Sequence, residues 1–285
     1  MSEKIMVLYH ANCPDGFGAA WSFWRKFGSK AEYIPIVHGN EPPDVKDRDV
    51  FIVDFCYDRT IMLNIEQESN SLVVLDHHKS AQAICGDLEF CYFDMDHSGA
   101  YLAWDYVFPD DSVPLLIRYV EDRDLWKWNL PFTEEVLSAV DSFEKTFENW
   151  DMLHSYLDAV ESLRWKKVKN MGEGILQYKR NLIKSLLDNS YTTNILGSEV
   201  PIVNAPFFQS EMASELAEGH PYAAAYYFDG EGYKFSLRSK EEGSDVSEIA
   251  AAFGGGGHKN ASGFKIIEIS TLKNGVTDGP KKDES

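Results

Sequence analysis

Three ionisable residues in a row, Asp76-His77-His78, follow the apolar stretch Val73-Val74-Leu75. A strand interior takes apolar side chains, so a carboxylate and two imidazoles at its exit need solvent or a partner. Together they suit a borderline divalent ion such as manganese, zinc or iron. Taken alone, the tripeptide reads equally well as a solvated turn. A second group lies in His10-Ala11-Asn12-Cys13-Pro14-Asp15-Gly16. There Asp15 alone is a plain helix N-cap, and Cys13 alone is an inert small residue. Asp54 closes the run Phe51-Ile52-Val53-Asp54, and loop aspartates are common. The combination says more than its parts. His10 with Asp15, then Asp54, then Asp76 with His77 sit at three separate strand ends. Along one edge of a parallel sheet they would offer the carboxylates and imidazoles that hold two ions about 3.5–4 Å apart.

A different pattern stands near the other end. Gly254 to Gly257 precede His258, and the small residues Ala261, Ser262 and Gly263 follow. A bare glycine run is a flexible turn. With a histidine and small neighbours, Gly255, Gly256 and Gly257 let a phosphate approach backbone N–H groups closely. His258 can donate to a phosphate oxygen. Arg238 offers a planar fork for phosphate or a face for stacking on a base. Asn204 and Ser210, in the loop Asn204-Ala205-Pro206-Phe207-Phe208-Gln209-Ser210, are further candidates for contact with a ligand. Ser98-Gly99-Ala100 reads as the capped start of a helix.

The elements that must position these residues alternate in the first half. Ile5–Tyr9 is a continuous apolar run, as in a strand buried on both faces. Helical character over 15–28 ends at Gly28. Strands follow at Tyr33–Val37, Val50–Phe55 and Leu72–Leu75, with a helix from Asp58 to Glu68 between the last two. This alternation predicts a mostly parallel α/β sheet, in which ligands bind outside the carboxyl ends of the strands. Residues 98–160 read as helices containing Trp126, Trp128 and Trp150. Residues 161–190 space their apolar positions by three to five and predict one long connector helix. Beyond it come strands at Ile202-Val203, Ala223–Phe228, Tyr233–Leu237 and Gly263–Ile269, a turn at Asp229–Gly232 and a helix over Val246–Phe253. The expected fold is α/β throughout. Residues 1–160 form a metal-binding domain, 161–190 a connector helix and 191–270 a smaller C-terminal α/β domain. A polar tail at 271–285 is expected to be disordered.

The 285 residues carry 27 Lys and Arg against 46 Asp and Glu, a formal charge of -19. The first 160 residues hold net -17 of this, while 161–190 is net +4. Such a charge disfavours a grip on long nucleic acid, which needs cations to displace counterions. It disfavours anionic lipid as well. A small phosphorylated ligand stays allowed, because bound divalent cations reverse the local field. Cys13, Cys56, Cys85 and Cys91 form no Cys-x-x-Cys pair, and no leader is read, so a reducing cytoplasm is expected. No apolar run nears the ~18 residues of a membrane span.

Leu75-Asp76-His77-His78 resembles the signature of the DHH phosphoesterase superfamily. Gly254–Phe264 is similar to the glycine-rich motif of its DHH-associated C-terminal domain, and Phe235–Ser239 to that domain's arginine-bearing strand. The likeness runs over about residues 4–268, with three motifs in order. It implies a hydrolase with two metal ions, manganese first, with magnesium, cobalt or iron as alternatives, and a small anionic substrate enclosed between two domains. Asp15, Asp54 and His77 match metal ligands, His78 a histidine facing substrate, and Asp76 a metal-adjacent group. The fourth motif's aspartate is Asp122 or Asp124, with Asp122 favoured. The first motif departs from the pattern: Cys13 stands where an aspartate is usual, and His10 lies one residue further upstream. One site is therefore Asp15, Asp54, His77 and Asp122 or Asp124. The other rests on His10, Asp54 and Cys13. The implied activity is hydrolysis of dinucleotides such as pGpG, or of very short oligoribonucleotides, to mononucleotides. The alternatives are a phosphoadenosine-phosphate phosphatase or pyrophosphatase, and a nucleotide-binding module without catalysis. No long nucleic acid and no membrane is an expected partner, and a homodimer is allowed.

Overall fold

The computed structural model describes residues 4–273 apart from 12, 38, 159 and 161. The chain divides into two units, Met1–Leu176 and Gln177–Ser285.

The first unit is built on β1 (Ile5–His10), α1 (Pro14–Phe27), β2 (Ala31–Ile36), β3 (Asp49–Val53), α2 (Arg59–Glu68), β4 (Ser71–Asp76), α3 (Lys79–Cys85) and β5 (Cys91–Phe93). The strands pair in the order β2-β1-β3-β4-β5, every pair parallel. Alternate residues serve two cores. Met6, Leu8, Ile52 and Val74 pack with Met62 and Ile65 of α2 on one face. Val7, Val53 and Leu75 pack with Ala19 and Phe23 of α1 on the other. That is why these strands read as unbroken apolar runs.

Four helices follow: α4 (Gly99–Val107), α5 (Leu115–Asp124), α6 (Thr133–Asp141) and α7 (Phe147–Leu157). They bury Leu116, Ile117, Leu137, Trp150 and Leu153 against Trp21 of α1, each worth about 1.5–3 kcal/mol on leaving water. The connector is α8 (Leu163–Leu187), inside the expected 161–190. Its first half puts Trp165 and Val168 into this core.

The second unit holds β6 (Tyr191–Ile195), β7 (Ser198–Asn204), α9 (Gln209–Leu216), β8 (Ala223–Phe228), β9 (Tyr233–Arg238), α10 (Val246–Ala251), β10 (Gly256–His258) and β11 (Ala261–Ile266). The sheet order is β10-β11-β9-β8-β7-β6, antiparallel except for β7 and β8. One face buries Phe235, Leu237 and Phe264 against Val246 and Ala250 of α10. The other packs Val203 and Ala225 on Met212 and Ala213 of α9 and Ile183 of α8.

Several elements escape the sequence reading. Short α3, β5 and β10 lie below the length at which periodicity shows. Strand β6 is mostly exposed and polar, and α9 shares only Gln209 and Ser210 with the stretch read as a loop, its remainder having no reading. The Gly256–His258 segment is an edge strand rather than a turn. Order also runs past residue 270: Ile269–Lys273 form a 3-10 turn. Leu272 is buried there, and its carbonyl accepts from Leu196 N at 3.1 Å. The rest of the expected disordered tail, 274–285, lies outside the described residues. Among the described residues, no helix is long and apolar enough to cross a membrane.

Candidate functional site

In a parallel sheet of order 2-1-3-4-5, the chain reverses direction of growth between β1 and β3, which opens a crevice at their carboxyl ends. His10 ends β1, Cys13 and Asp15 begin α1, and Asp54 follows β3. The predicted ligands therefore flank the crevice, with Asp76 and His77 arriving from neighbouring β4.

Asp54 lies at the centre. It is only 2% exposed, and its two carboxylate oxygens face different partners. Oδ2 lies 3.3 Å from Cys13 Sγ and 3.4 Å from His10 Nδ1. Oδ1 lies 3.3 Å from His77 Nε2. The same His77 nitrogen is 3.5 Å from Asp15 Oδ2 and 3.5 Å from Asp124 Oδ2. Two of the donor clusters that result are His10–Cys13–Asp54 and Asp15–His77–Asp124, and a third, Asp54–Asp76–His77–His78, overlaps them; in each the donor atoms lie within 4.8 Å of one another. Asp54 holds its place at a backbone cost, with φ of 63°. A non-glycine residue there costs about 1–3 kcal/mol, and aspartate is among the residues that tolerate it.

Several of the candidate ligands are fixed by specific neighbours. Asp15 is not the cap of its own helix. Cys13 caps α1, its sulfur accepting from Gly16 N at 3.1 Å. The Asp15 carboxylate instead crosses to α4, accepting from Gly99 N at 2.7 Å and Ala100 N at 3.0 Å. Gly99 must be glycine, because a Cβ there would stand 2.7 Å from Asp54 Oδ1. Fully buried Asp76 accepts from His77 N at 2.7 Å and approaches His78 Nδ1 at 2.7 Å through the same oxygen.

The donor set fits divalent ions. Asp54 Oδ1 and Asp76 Oδ2 are buried with no hydrogen-bond partner among the described residues, a costly state for a carboxylate oxygen that a cation would relieve. Proton affinities tell the same story. Burial, then the charges of Asp54 and Asp124, hold the Asp15 carboxyl well above the usual range. Burial and the charge of Asp54 raise Asp124 as well. Burial alone would raise Asp54, but the His10 and His77 rings pull it below the usual range. Burial and the charge of Asp54 push the Cys13 thiol up. The Asp76 carboxylate raises the half-exposed His78 to about 9, against the cost of its partial burial.

The structure separates Asp122 from Asp124. Asp122, favoured from the sequence, is committed elsewhere. Its carboxylate accepts from Asn129 N at 2.7 Å, Leu130 N at 3.1 Å and the Thr133 hydroxyl. Its carbonyl accepts from Lys127 N and Trp128 N. It organises the loop after α5, while Asp124, at the last position of α5, reaches His77. Two positions apart on a helix means about 200° of rotation, so only one of the pair can face the crevice.

In the second unit, His258 lies opposite Ala261, Ala261 opposite Arg238 and Arg238 opposite Ala223. Directly opposed residues share a face, so His258 and Arg238 stand in one row with only alanine between. The adjoining row is Gly256, Gly263, Ser236 and Ala225, almost free of side chains. Arg238 donates Nε and Nη2 to Ser210 Oγ at 3.1 and 2.8 Å, which joins two of the predicted residues. Gly257 has φ of 143°, and a Cβ there would lie 2.6 Å from Ala261 O. Gly255 admits no Cβ either, with Gly263 O at 2.2 Å. Asn204 is not brought to this row. It pairs with Tyr226, three places along β8 from Ala223, or about 10 Å. The sequence reading missed Asn260, whose amide donates to Lys240 O at 2.7 Å and Ser239 Oγ at 3.0 Å. It staples the β10–β11 turn to the end of β9.

Comparison with known proteins bears on these features. The DHHA1 domain family matches residues 209–276. The chain is 32% identical over 293 residues to the uncharacterized protein R106 of Acanthamoeba polyphaga mimivirus, covering 93% of this chain and 68% of that protein. It is 25% identical over 218 residues to oligoribonuclease NrnB of Bacillus subtilis, covering 68% of this chain and 53% of that protein. It thus spans about half the length of NrnB. A crystal structure of the exonuclease RecJ bound to manganese shares the fold, with a TM-score of 0.53, 15% identity, and coverage of 94% of this chain and 86% of that one. The chain belongs to the DHH superfamily of metal-dependent phosphoesterases, and its C-terminal part is the DHH-associated DHHA1 domain.

Proposed function

We propose that this chain is a manganese-dependent phosphodiesterase that cuts dinucleotides such as pGpG, or very short oligoribonucleotides, to mononucleotides. The observation that carries the reading is the pair of donor clusters joined through the two oxygens of Asp54. In this reading Asp15, Asp54, His77 and Asp124 hold one ion, and His10, Cys13 and Asp54 the other. Magnesium, cobalt or iron could replace manganese at an oxygen- and imidazole-rich site. Such ions supply a hydroxide nucleophile near neutral pH and offset charge on a phosphoryl group.

The chain's own residues do the rest. Asp76 keeps His78 protonated and oriented, so its ring can donate to a phosphoryl oxygen. Arg238, held by Ser210, presents fixed N–H groups to a phosphate, with His258 two strands away in the same row. Gly255, Gly256 and Gly257 keep the approach open. Support for a short substrate comes from the charge of -19, since a long polymer needs a cationic track. The name oligoribonuclease carried by NrnB, and manganese in the RecJ structure, support the substrate class and the metal. Four free cysteines suit a reducing cytoplasm.

The test is a length series of labelled RNA and DNA, from dinucleotide upward, incubated with pure protein and manganese. Dinucleotides and the shortest RNAs are expected to give mononucleotides fastest. No cleavage of any length, or unchanged cleavage by His77→Ala, defeats the proposal.

A further inference from the structure

The loop that Asp122 organises, Leu125 to Phe132, displays two large aromatic side chains to solvent. Trp126 is 76% exposed and Trp128 37%. A pair of open indoles stands out in a chain whose Trp21 and Trp150 are buried, and exposed apolar surface marks sites of interaction. The loop also keeps them open against local preference. Trp126 has φ of 56° and Trp128 of 51°, the left-handed region that non-glycine residues avoid.

That conformation is held by bonds to everything except the indoles. Trp126 N donates to Arg123 O at 3.0 Å, and Lys127 N and Trp128 N donate to Asp122 O at 2.8 and 3.2 Å. The Asp122 carboxylate takes the next two backbone N–H groups. Lys127 Nζ is tied to Asp96 O at 3.0 Å. Arg123 anchors the preceding turn through two bonds to Asp141. The two indoles meet edge to face, with centroids 5.1 Å apart and planes at 81°. This geometry props Trp126 from one side and leaves ring surface free.

The loop starts one residue after Asp124, whose carboxylate stands 3.5 Å from His77. The Trp126 Cα can lie no more than about 7 Å from that of Asp124. An aromatic platform of this reach suits the base of a nucleotide whose phosphate occupies the metal cluster, and every base has a π-face to stack. We propose that Trp126, supported by Trp128, is a base-stacking platform for the nucleotide being cut. The proposal rests on the phosphodiesterase reading and adds to it the residue that recognises the base. Stacking tolerates all bases, so it selects for the presence of a base rather than its identity.

The experiment compares wild type, Trp126→Ala and Trp126→Phe on a dinucleotide and on the same compound lacking one base, with manganese. Trp126→Ala is expected to raise KM for the dinucleotide about 10-fold with kcat within twofold. It should also lose the wild type's preference for the compound carrying both bases, and Trp126→Phe should recover most of both. Melting curves of the three proteins check that the fold is kept. Indole fluorescence is followed in parallel as the dinucleotide is added with calcium in place of manganese. Quenching in wild type that is reduced in Trp126→Ala supports the platform even if no turnover is found, in which case the phosphodiesterase reading alone fails. An unchanged KM and preference in Trp126→Ala, or identical quenching in both proteins, overturns the platform.

Discussion

On the proposed reading, the two sheets prepare for an anion in opposite ways. The N-terminal sheet gathers charge: four strand or helix ends bring Asp15, Asp54, Asp76, His77 and Asp124 together, three of them fully buried carboxylates. The C-terminal sheet clears side chains away: Gly256, Gly263 and Ser236 leave bare backbone beside the row holding Arg238 and His258. The first arrangement is unstable in itself and needs cations. The second is stable as it stands, because the partly exposed Arg238 already donates to Ser210. Chemistry is thus assigned to a place where charges are stored uncomfortably, and holding to a place where nothing obstructs.

That contrast can be broken at several points. The largest effect is expected at Asp54, which belongs to the His10–Cys13 cluster and reaches His77 of the other. Asp54→Asn keeps a side chain that tolerates the left-handed backbone, yet removes the charge shared by both ions. Its kcat/KM should fall about 10³-fold or more, since metal charge stabilisation is worth several kcal/mol, with the circular dichroism spectrum unchanged.

Next comes the pair on α5. Asp122→Ala removes the acceptor of Asn129 N, Leu130 N and the buried Thr133 hydroxyl and should lower unfolding free energy by about 3 kcal/mol in urea titration. Asp124→Ala should leave stability within about 0.5 kcal/mol but weaken manganese binding measured by calorimetry. The reverse pattern would return Asp122 to the metal. In the C-terminal unit, Gly257→Ala should cost about 1–3 kcal/mol from crowding while the number of manganese ions bound stays the same. A change in that number would mean that the two sheets are not separate in role.

The smallest and most diagnostic effect concerns Cys13. A thiolate ligand gives cobalt an intense near-ultraviolet charge-transfer band, which Cys13→Asp should abolish. The same change should strengthen manganese binding about 10-fold, because an oxygen donor suits that ion better than sulfur. The Cys13 thiol is raised, so a metal must displace its proton, and binding there improves as pH rises. The advantage of Cys13→Asp is therefore expected to be greatest at low pH and to shrink toward high pH.

Much of the metal edge was legible because it rests on local contrast. Apolar strands ending in His10, Asp54 and Asp76-His77-His78 announce both the sheet and its functional end. The choice between Asp122 and Asp124 was not legible, since spacing does not say which helix face meets the crevice. Nor was the role of Asp15, whose partners on α4 lie more than eighty residues away. Arg238 and Ser210 were named separately, and only the packing of α9 showed that they bond. The Trp126–Trp128 pair was hidden inside a stretch read as helix, because left-handed backbone at tryptophan has no compositional signal.

The spread of the ligands along the chain has a consequence for how the protein is made. Residues 10–15, 54, 76–77 and 124 all contribute, and parallel strands pair only after their crossovers close. At about 5–20 residues per second of synthesis, a nascent chain spends several seconds with its first ligands exposed and its last still unmade. The full donor set therefore comes together only after residue 124 is made, unlike domains that are unfolded without their ion. On the proposed reading, packing of the sheet and α5 comes first, and the ions would arrive at a finished cleft.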